Sequence, residues 1–320
     1  MSGAAAGAAD VARAALGRRR ADVARLLNLV EDLRPTAAER RDDATAELLA
    51  SGRRPSAVVG ITGTPGSGKS SLLSRVTEVM LAERPELTIA VVAVDPSSPT
   101  SGGALLGDRT RMRFAPDDDR LFFRSQASAN HLGGLGPATF DACLVLSMLY
   151  DVVLVETVGV GQNEADVRHL ADHVYLVIAP LGGDEVQYLK AGIIEIPDGF
   201  VVNKCDEAGA DKAFHQLTAS LWLARPFDPE LPILRTSART GEGVDELAEL
   251  LLRAVDEPPA EPLTTRTPYF FGRWVATEWG RAGSRHLDAE LGGADAFLAS
   301  HAGRLGHAQV AFSQSFAPER

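Results

Sequence analysis

Residues 57–70 read AVVGITGTPGSGKS and carry the clearest structural signal of the chain. The apolar run 57–62 has the composition of a buried strand, and Gly63 to Ser70 matches the pattern G-x4-G-K-[ST] in full. A segment of helical period begins at Ser71. A strand, a glycine-rich loop and a helix in this order form the loop that holds phosphates in nucleotide-binding α/β proteins. The stretch therefore predicts a phosphate loop.

Short apolar runs continue along the chain after Ala57 and alternate with longer segments of helical period. The runs are 57–62, 88–94, 151–156, 174–179, 199–203 and 232–237. Most are continuously apolar, as expected of strands that helices cover on both faces. We therefore predict an α/β fold, a P-loop NTPase with a doubly wound, mainly parallel sheet.

Three regions are predicted along the chain. Residues 1–55 form a helical extension, 56–257 the P-loop domain, and 258–320 a short tail that begins at a proline-rich boundary. In the extension, apolar residues line one helix face: Val23, Leu26, Leu27, Val30 and Leu33. In the tail, aromatic residues cluster: Tyr269, Phe270, Phe271, Trp274 and Trp279. We interpret the tail as a dimerisation or docking element, with core packing onto the sheet as the alternative.

Composition restricts the classes of partner and the cellular compartment that we expect for the protein. The net charge of −11 is concentrated in the P-loop domain, and without a basic stripe we expect no nucleic acid partner. No apolar run approaches the roughly 20 residues that span a bilayer, so we expect no membrane segment. Cys143 and Cys205 lie far apart, which argues against a disulfide framework or a zinc site. Charged residues interrupt the apolar N-terminus, so we expect no export signal and a cytoplasmic protein.

The base of the nucleotide is indicated by Asn203-Lys204-Cys205-Asp206, at the end of a predicted strand. This is the N-K-x-D pattern of guanine-binding proteins. Guanine presents two donors, at N1 and N2, and one carboxylate accepts from both, whereas adenine offers no such pair. Thr236-Ser237-Ala238 follows the next strand, where a backbone N–H can bind the O6 atom of guanine. We therefore predict a GTP/GDP site and GTP hydrolysis.

Phosphate and metal binding are assigned to the loop and to nearby acids. Lys69 is expected to reach the β- and γ-phosphates, the Ser70 hydroxyl to bind Mg²⁺, and Glu156 to hold a water on the metal. Asp95 and Asp108 are further candidate metal ligands, although Asp95 also suits a turn before proline. The predicted nucleotide-binding residues are Gly63, Thr64, Pro65, Gly66, Ser67, Gly68, Lys69, Ser70, Ser71, Asn203, Lys204, Asp206, Ser237, Ala238 and Arg239. The predicted catalytic residues are Lys69, Glu156 and Gln162, of which Gln162 is a candidate to orient the attacking water.

Four longer motifs resemble one family. They are AVDPSSPTSGGALLGDRTRM (93–112), VETVGVGQNE (155–164), LGGDEVQYLKAGI (181–193) and VNKCD (202–206). They are similar to the G-protein chaperones of adenosylcobalamin-dependent acyl-CoA mutases, whose bacterial members are also called ArgK or LAO/AO transport-system ATPases. The resemblance covers roughly residues 10–250.

The resemblance implies a GTP-hydrolysing switch that docks on the mutase and gates cofactor loading, protection or reactivation. It also implies that Ser70, Asp95, Asp108 and Glu156 are the magnesium and switch residues, and that 182–190 relays the nucleotide state to the partner. The family usually continues into long helices that pair two subunits. The tail of this chain is shorter, so a homodimer and a monomer both stay open.

Three alternatives compete with this hypothesis. A nickel-delivery GTPase needs clustered His and Cys ligands, and the nearest pair is His169 and His173 at helical spacing. An ATP-dependent kinase or transport-associated ATPase conflicts with Asp206, whose carboxylate would face the lone pair at N1 of adenine. A nucleotide-binding regulator without hydrolysis differs from a slow GTPase only in turnover.

Overall fold

The computed structural model of the protein describes residues 7–95, 118–127, 135–157, 164–180, 195–225, 228, 230–257 and 259–316. The strands are β1 (Ala57–Gly63), β2 (Ile89–Asp95), β3 (Leu121–Ala127), β4 (Val152–Thr157), β5 (His173–Ile178), β6 (Gly199–Val202) and β7 (Ile233–Arg235). The helices are α1 (Ala8–Ala15), α2 (Arg20–Val30), α3 (Ala38–Ala50), α4 (Lys69–Glu83), α5 (Pro137–Ser147), α6 (Glu164–Leu170), α7 (Ala210–Ala224), α8 (Val244–Asp256), α9 (Thr267–Glu290, kinked at Gly280), α10 (Gly293–Ser300) and α11 (Leu305–Phe316).

The seven strands form one sheet in the order β3-β2-β4-β1-β5-β6-β7. Every neighbouring pair is parallel, so the predicted fold class is confirmed. The six strands predicted from apolar runs are all present, with ends shifted by one or two residues. Strand β3 was missed because it is an edge strand with partly exposed polar positions, Arg124 and Ser125, rather than a continuous apolar run.

Helices cover both faces of the sheet. On one face, α4 and α8 contribute Leu72, Met80 and Leu251 to a core with the alternate strand residues Val59 and Ile61. On the opposite face, Gly60 lies against α6, and Leu217 of α7 packs on β5 and β6. Alternate residues of a strand point to opposite faces, so continuously apolar strands supply both cores.

Tertiary contacts divide the chain into two compact units. The sheet unit comprises Ser56–Leu135 and Tyr150–Pro259. The helical unit comprises Met1–Pro55, Gly136–Leu149 and Ala260–Arg320, so α5 belongs with the two ends of the chain although it lies between two strands in sequence. None of the described helices combines the length and the apolar composition needed to cross a bilayer.

The helical unit has its own core, which the aromatic residues of the tail supply. Phe271 and Phe312 are fully buried with Val275, Leu287 and Ala308. The rings of Phe271 and Phe297 stack with centroids 5.6 Å apart. In the N-terminal extension, the predicted face of α2 is buried except for Leu33, which lies beyond the end of the helix and is 37% exposed.

Candidate nucleotide-binding site

The phosphate loop connects β1 to α4 at the carboxyl edge of the sheet. Gly68 caps α4 with φ of 85°, in the left-handed region that favours glycine. A Cβ atom there would lie 2.6 Å from Nδ2 of Asn203. At Gly63, with φ of 144°, a Cβ atom would lie 1.9 Å from the carbonyl oxygen of Val177 on β5. Gly63 is thus required by close strand packing, a reason that the phosphate-loop pattern alone did not reveal.

Lys69 begins α4, and its ammonium lies over the loop. It is 4% exposed, and Nζ donates to the carbonyl oxygens of Gly63 at 2.8 Å and Thr64 at 2.9 Å. The start of α4 also directs backbone N–H groups toward the loop, as every helix N-terminus does. Ser67 is buried, Ser70 is half-buried, and Pro65, Gly66 and Ser71 are exposed. The loop therefore combines a buried cation with a helix N-terminus, an arrangement that attracts phosphate.

Ser70 and Glu156 meet at the mouth of the loop. The Ser70 hydroxyl donates to Oε1 of Glu156 at 2.6 Å, and the Glu156 side chain is buried. Glu156 is positioned by the sheet, since its strand β4 aligns it with Ile61 of β1 and Ala93 of β2. A hydroxyl and a carboxylate in contact are oxygen ligands of the type that Mg²⁺ prefers.

Of the other residues predicted to bind the metal or orient the water, only Asp95 lies among the described residues. Asp95 is the last residue of β2 and pairs with Ala127 of β3 through its backbone. Asp108 and Gln162 lie outside the described residues, as do 96–112 and 182–190. No cluster of three or more His, Cys, Asp or Glu side chains with metal-site geometry occurs in the described ranges. His169 lies on α6 and His173 begins β5, so this pair does not share one helix.

Asn203 joins the phosphate loop to the base-binding loops. Its Nδ2 donates to the carbonyl oxygen of Ser67 at 2.8 Å. Its Oδ1 accepts from the backbone N–H of Ala238 at 3.3 Å and from the Thr236 hydroxyl at 3.2 Å. Asn203 is 1% exposed, and its bonds to Ser67 and Thr236 are buried while that from Ala238 is partly buried. One amide therefore holds three loops in register, a role that the N-K-x-D pattern by itself does not specify.

Two neighbouring side chains, those of Ser237 and Arg239, orient the carboxylate of Asp206. Its Oδ1 accepts from the Ser237 hydroxyl at 2.5 Å, and its Oδ2 accepts from the exposed guanidinium of Arg239. The hydrogen bond from Ser237 lowers the pKa of Asp206 most, burial opposes it with the next largest effect, and Arg239 lowers the pKa further. Ser237 is itself fixed, because its hydroxyl accepts from the backbone N–H of Thr240 at 3.1 Å. The carboxylate is therefore ionised at neutral pH.

Lys204 lies between the two halves of the site. Its backbone has φ of 60°, and its side chain extends past Gly68 of the phosphate loop. The structure thus brings the predicted phosphate-loop and base-binding residues to one edge of the sheet. Thr236, whose hydroxyl binds Asn203, is a supporting residue that the sequence indicated only as part of a tripeptide.

Comparison with known proteins gives a family match over most of the chain. The family model described as "Methylmalonyl Co-A mutase-associated GTPase MeaB" matches residues 23–258. A putative GTPase of Pyrococcus horikoshii is 46% identical over 242 residues, which cover 73% of each chain. GTPase ArgK of Escherichia coli is 38% identical, over 71% of this chain and 70% of the relative.

Two further relatives extend the comparison. The mitochondrial methylmalonic aciduria type A homolog of Mus musculus is 38% identical over 63% of this chain, and the match spans 49% of that protein. Among solved structures, a LAO/AO transport system kinase matches with a TM-score of 0.62 and 26% identity. That match covers 97% of this chain and 98% of the other, so it includes the helices of both chain ends.

Proposed function

The chain belongs to the family of methylmalonyl-CoA mutase-associated GTPases, and from this membership we propose that it is a nucleotide-controlled chaperone of an adenosylcobalamin-dependent acyl-CoA mutase. As a GTPase of this family it cleaves the γ-phosphate of GTP. In this proposal, the nucleotide state sets the affinity for the mutase and thereby gates cofactor loading, protection or reactivation. The protein acts in the cytoplasm, as a monomer or a homodimer.

The observation that carries the nucleotide site is the hydrogen bond from Asn203 to the Ser67 carbonyl. It ties the phosphate loop to the loop that carries Asp206, so phosphates and base would be bound by one connected unit. Asp206 would accept from N1 and N2 of guanine, and the backbone N–H of Ala238 would donate to O6. Arg239 would release one carboxylate oxygen when the base enters.

Phosphate binding is assigned to Lys69 and to the N-terminus of α4. When the phosphates bind, the ammonium of Lys69 would exchange its two loop carbonyls for β- and γ-phosphate oxygens. Ser70 and Glu156, with Asp95 and Asp108 as further ligands, would hold Mg²⁺, which neutralises charge on the phosphates. The contact between Ser70 and Glu156 supports this assignment, because both supply oxygen ligands.

Intrinsic hydrolysis is expected to be slow. Gln162 is the candidate to orient the attacking water, and the sequence motifs assign no arginine finger. Unassisted GTPases turn over at roughly 10⁻⁴ to 10⁻² per second. We expect the chain to fall in this range alone and to be accelerated by the mutase.

Segments 95–112 and 182–190 are the proposed mutase-binding surfaces. They carry family-like residues, among them Asp184 and Gln187, beyond those that phosphate binding needs. A nucleotide can change the affinity for a partner only if the contacts differ between the two nucleotide states. We therefore expect the mutase to bind the GTP-analogue form and the GDP form with affinities that differ several-fold or more.

The test is a binding titration of the purified chain against a methylmalonyl-CoA mutase, with GDP and with a non-hydrolysable GTP analogue. Lys69→Ala should abolish hydrolysis and remove the difference between the two states. Lys212→Ala is the matched control, since Lys212 is an exposed lysine on α7. No mutase binding in either state would remove the chaperone proposal while leaving the GTPase assignment, and light scattering of the same samples decides between monomer and homodimer.

A further inference from the structure

We propose that the helical unit contains a separate ligand site, a cavity that binds a small organic amine with an apolar body. The cavity is bounded by α3, by α5, by the start of α9 and by the segment that joins α10 to α11. All of these segments belong to one compact unit, and none carries a nucleotide motif. The proposal is therefore independent of the GTPase function.

The cavity has the size and lining of a small-molecule site. Its volume is about 480 Å³, within the roughly 300–1,000 Å³ that is usual for ligand pockets. Most of the wall is apolar, and it includes Ala46, Leu49, Phe140, Leu144, Leu298 and Leu305. Such a wall favours the hydrocarbon part of a ligand.

One carboxylate in this wall has no protein partner. Asp141, on α5, forms no hydrogen bond or ion pair within the part of the chain that the structure describes. The side chain is half-buried, and its neighbours Phe140 and Ala142 are buried completely. Burial raises the pKa of Asp141 to about 7, with the charge of Arg41 opposing the shift and that of Asp42 adding to it. A partly buried carboxylate without a protein partner loses part of its hydration with nothing to replace it, which is why such groups are often found at functional sites.

The other charged groups that face Asp141 are already engaged. Asp42 accepts from the backbone N–H groups of Gly306 at 2.8 Å and His307 at 2.9 Å, and from the His307 ring at 2.5 Å. Arg304 pairs with the exposed Asp43, at 2.6 Å. The lining residues at the start of α9 are uncharged. Asp141 is thus the carboxylate of the cavity wall that has no hydrogen-bonded protein partner.

Arg41 is also nearly saturated. It is 4% exposed and donates to the carbonyl oxygen of Asp32 at 3.1 Å and to Oε1 of Gln309 at 2.6 Å. Only its Nε lacks a hydrogen-bond partner among the described residues. The partners of Arg41 are neutral oxygens, and it forms no hydrogen-bonded ion pair with Asp141. Because Arg41 is buried and Asp141 is half-buried, Asp141 is the charged group of this pair that a ligand can reach, and an ammonium group is the partner that suits it.

The experiment compares three probes that share one apolar body and differ in charge. They are 2-phenylethylamine, 2-phenylethanol and phenylacetate, titrated into the full chain at pH 8 and followed by NMR. The amine should bind about tenfold or more tightly than the alcohol, since a hydrogen bond to a charged group adds this much affinity. Phenylacetate should bind most weakly. Equal binding of amine and alcohol, tighter binding of phenylacetate, or no saturable binding of any probe would each overturn the proposal.

The pH profile identifies the carboxyl group that is responsible. The ammonium keeps its charge between pH 6 and 8, so loss of the Asp141 charge below its pKa of about 7 should weaken amine binding as the pH falls. Asp141→Asn should remove both the amine preference and this pH dependence. Asp295→Asn, an exposed acid on α10, is the matched control and should change neither. A pH dependence that survives in Asp141→Asn would contradict the proposal.

A variant that fills the cavity tests where the probes bind and leaves the charge of Asp141 unchanged. Ala46 lines the cavity from an exposed position on α3, so a larger side chain there is compatible with folding. Ala46→Phe should abolish binding of the amine and the alcohol alike. Unchanged amine binding in this variant would show that the probe binds elsewhere. If Asp141→Asn does not fold, the probe series and Ala46→Phe decide the question on their own.

Discussion

At the residue scale, a few polar side chains each connect separate segments of the site. Asn203 binds the phosphate loop through Nδ2 and the loop after β7 through Oδ1. Asp206 is oriented by Ser237, whose hydroxyl is held in turn by a backbone N–H. Such buried bonds cost little to keep when every partner is satisfied, and they keep the base-binding carboxylate in one orientation.

Asp206→Asn should change the base preference from guanine to xanthine. The amide loses one acceptor for the N1 and N2 donors of guanine, and its new donor matches the extra carbonyl of xanthine. We expect GDP affinity to fall by about a hundredfold, since one hydrogen bond to a charged acceptor is lost and the other is made to a neutral oxygen, and XDP affinity to rise. Titration with GDP, XDP and ADP measures this.

The control for this variant is Asp211→Asn, on a side chain that is 77% exposed and pairs with Arg235. It should leave all three affinities unchanged. Because Ser237 and Arg239 hold the pKa of Asp206 below its usual range, the wild-type chain should bind GDP equally well from pH 8 down to pH 5. A loss of GDP affinity across that window, or equal ADP and GDP affinities, would contradict the assignment of Asp206.

At the element scale, three aspartates link neighbouring strands at the amino-terminal edge of the sheet through the same pair of hydrogen bonds. Each aspartate precedes a strand, and its carboxylate accepts the backbone N–H of a residue at the start of the neighbouring strand or just before it. The carbonyl oxygen of that residue accepts the backbone N–H of the aspartate in return. The pairs are Asp151 with Thr88, Asp172 with Val58 and Asp198 with Val174. This reciprocal pair extends the ladder by one residue, so it sets the register of parallel strands that have no turn to set it.

Asp172→Ala should destabilise the sheet unit, because the N–H of Val58 loses its acceptor, 2.8 Å away, in a half-buried position. An unsatisfied backbone group costs about 1–3 kcal/mol in the free energy of unfolding. Urea denaturation followed by circular dichroism measures this. Glu78→Gln, an exposed acid on α4, should stay within about 0.5 kcal/mol of wild type. Equal stability of the two variants would show that this pair of hydrogen bonds has no energetic role.

At the scale of the whole molecule, the helical unit is assembled from three separate parts of the chain. Asp42 of α3 caps α11, and Arg41 binds Gln309 across a sequence separation of 268 residues. Phe140 of α5 stacks on Phe270 of α9 with ring centroids 4.5 Å apart. The tail is thus part of a core with the N-terminal helices, in addition to whatever role it has in dimerisation or docking.

Deleting residues 263–320 should unfold the helical unit. The N-terminal helices would lose the partners of Arg41 and Asp42 together with the aromatic core around Phe271 and Phe312. We expect aggregation by light scattering and increased binding of a hydrophobic dye, and a smaller change in GDP affinity because the tail carries no nucleotide motif. Deleting 317–320 alone is the control. A monodisperse truncated chain with normal helix content would refute this account. A folded truncated chain that has lost GDP binding would show that the nucleotide-binding domain extends into residues 263–320.

The fold class, the family and the candidate site residues could all be predicted from the sequence. The phosphate loop, the N-K-x-D motif and the continuous apolar strands are local patterns, and covalent geometry ties each to one local structure. How distant segments meet became apparent only in the folded chain. Examples are the packing of α5 with both chain ends, the hydrogen bond from Asn203 to Ser67, the position of β3 at the sheet edge and the cavity around Asp141. These contacts depend on the packing and hydrogen bonding of residues far apart in the chain, and no periodicity within a short window encodes which of them become neighbours.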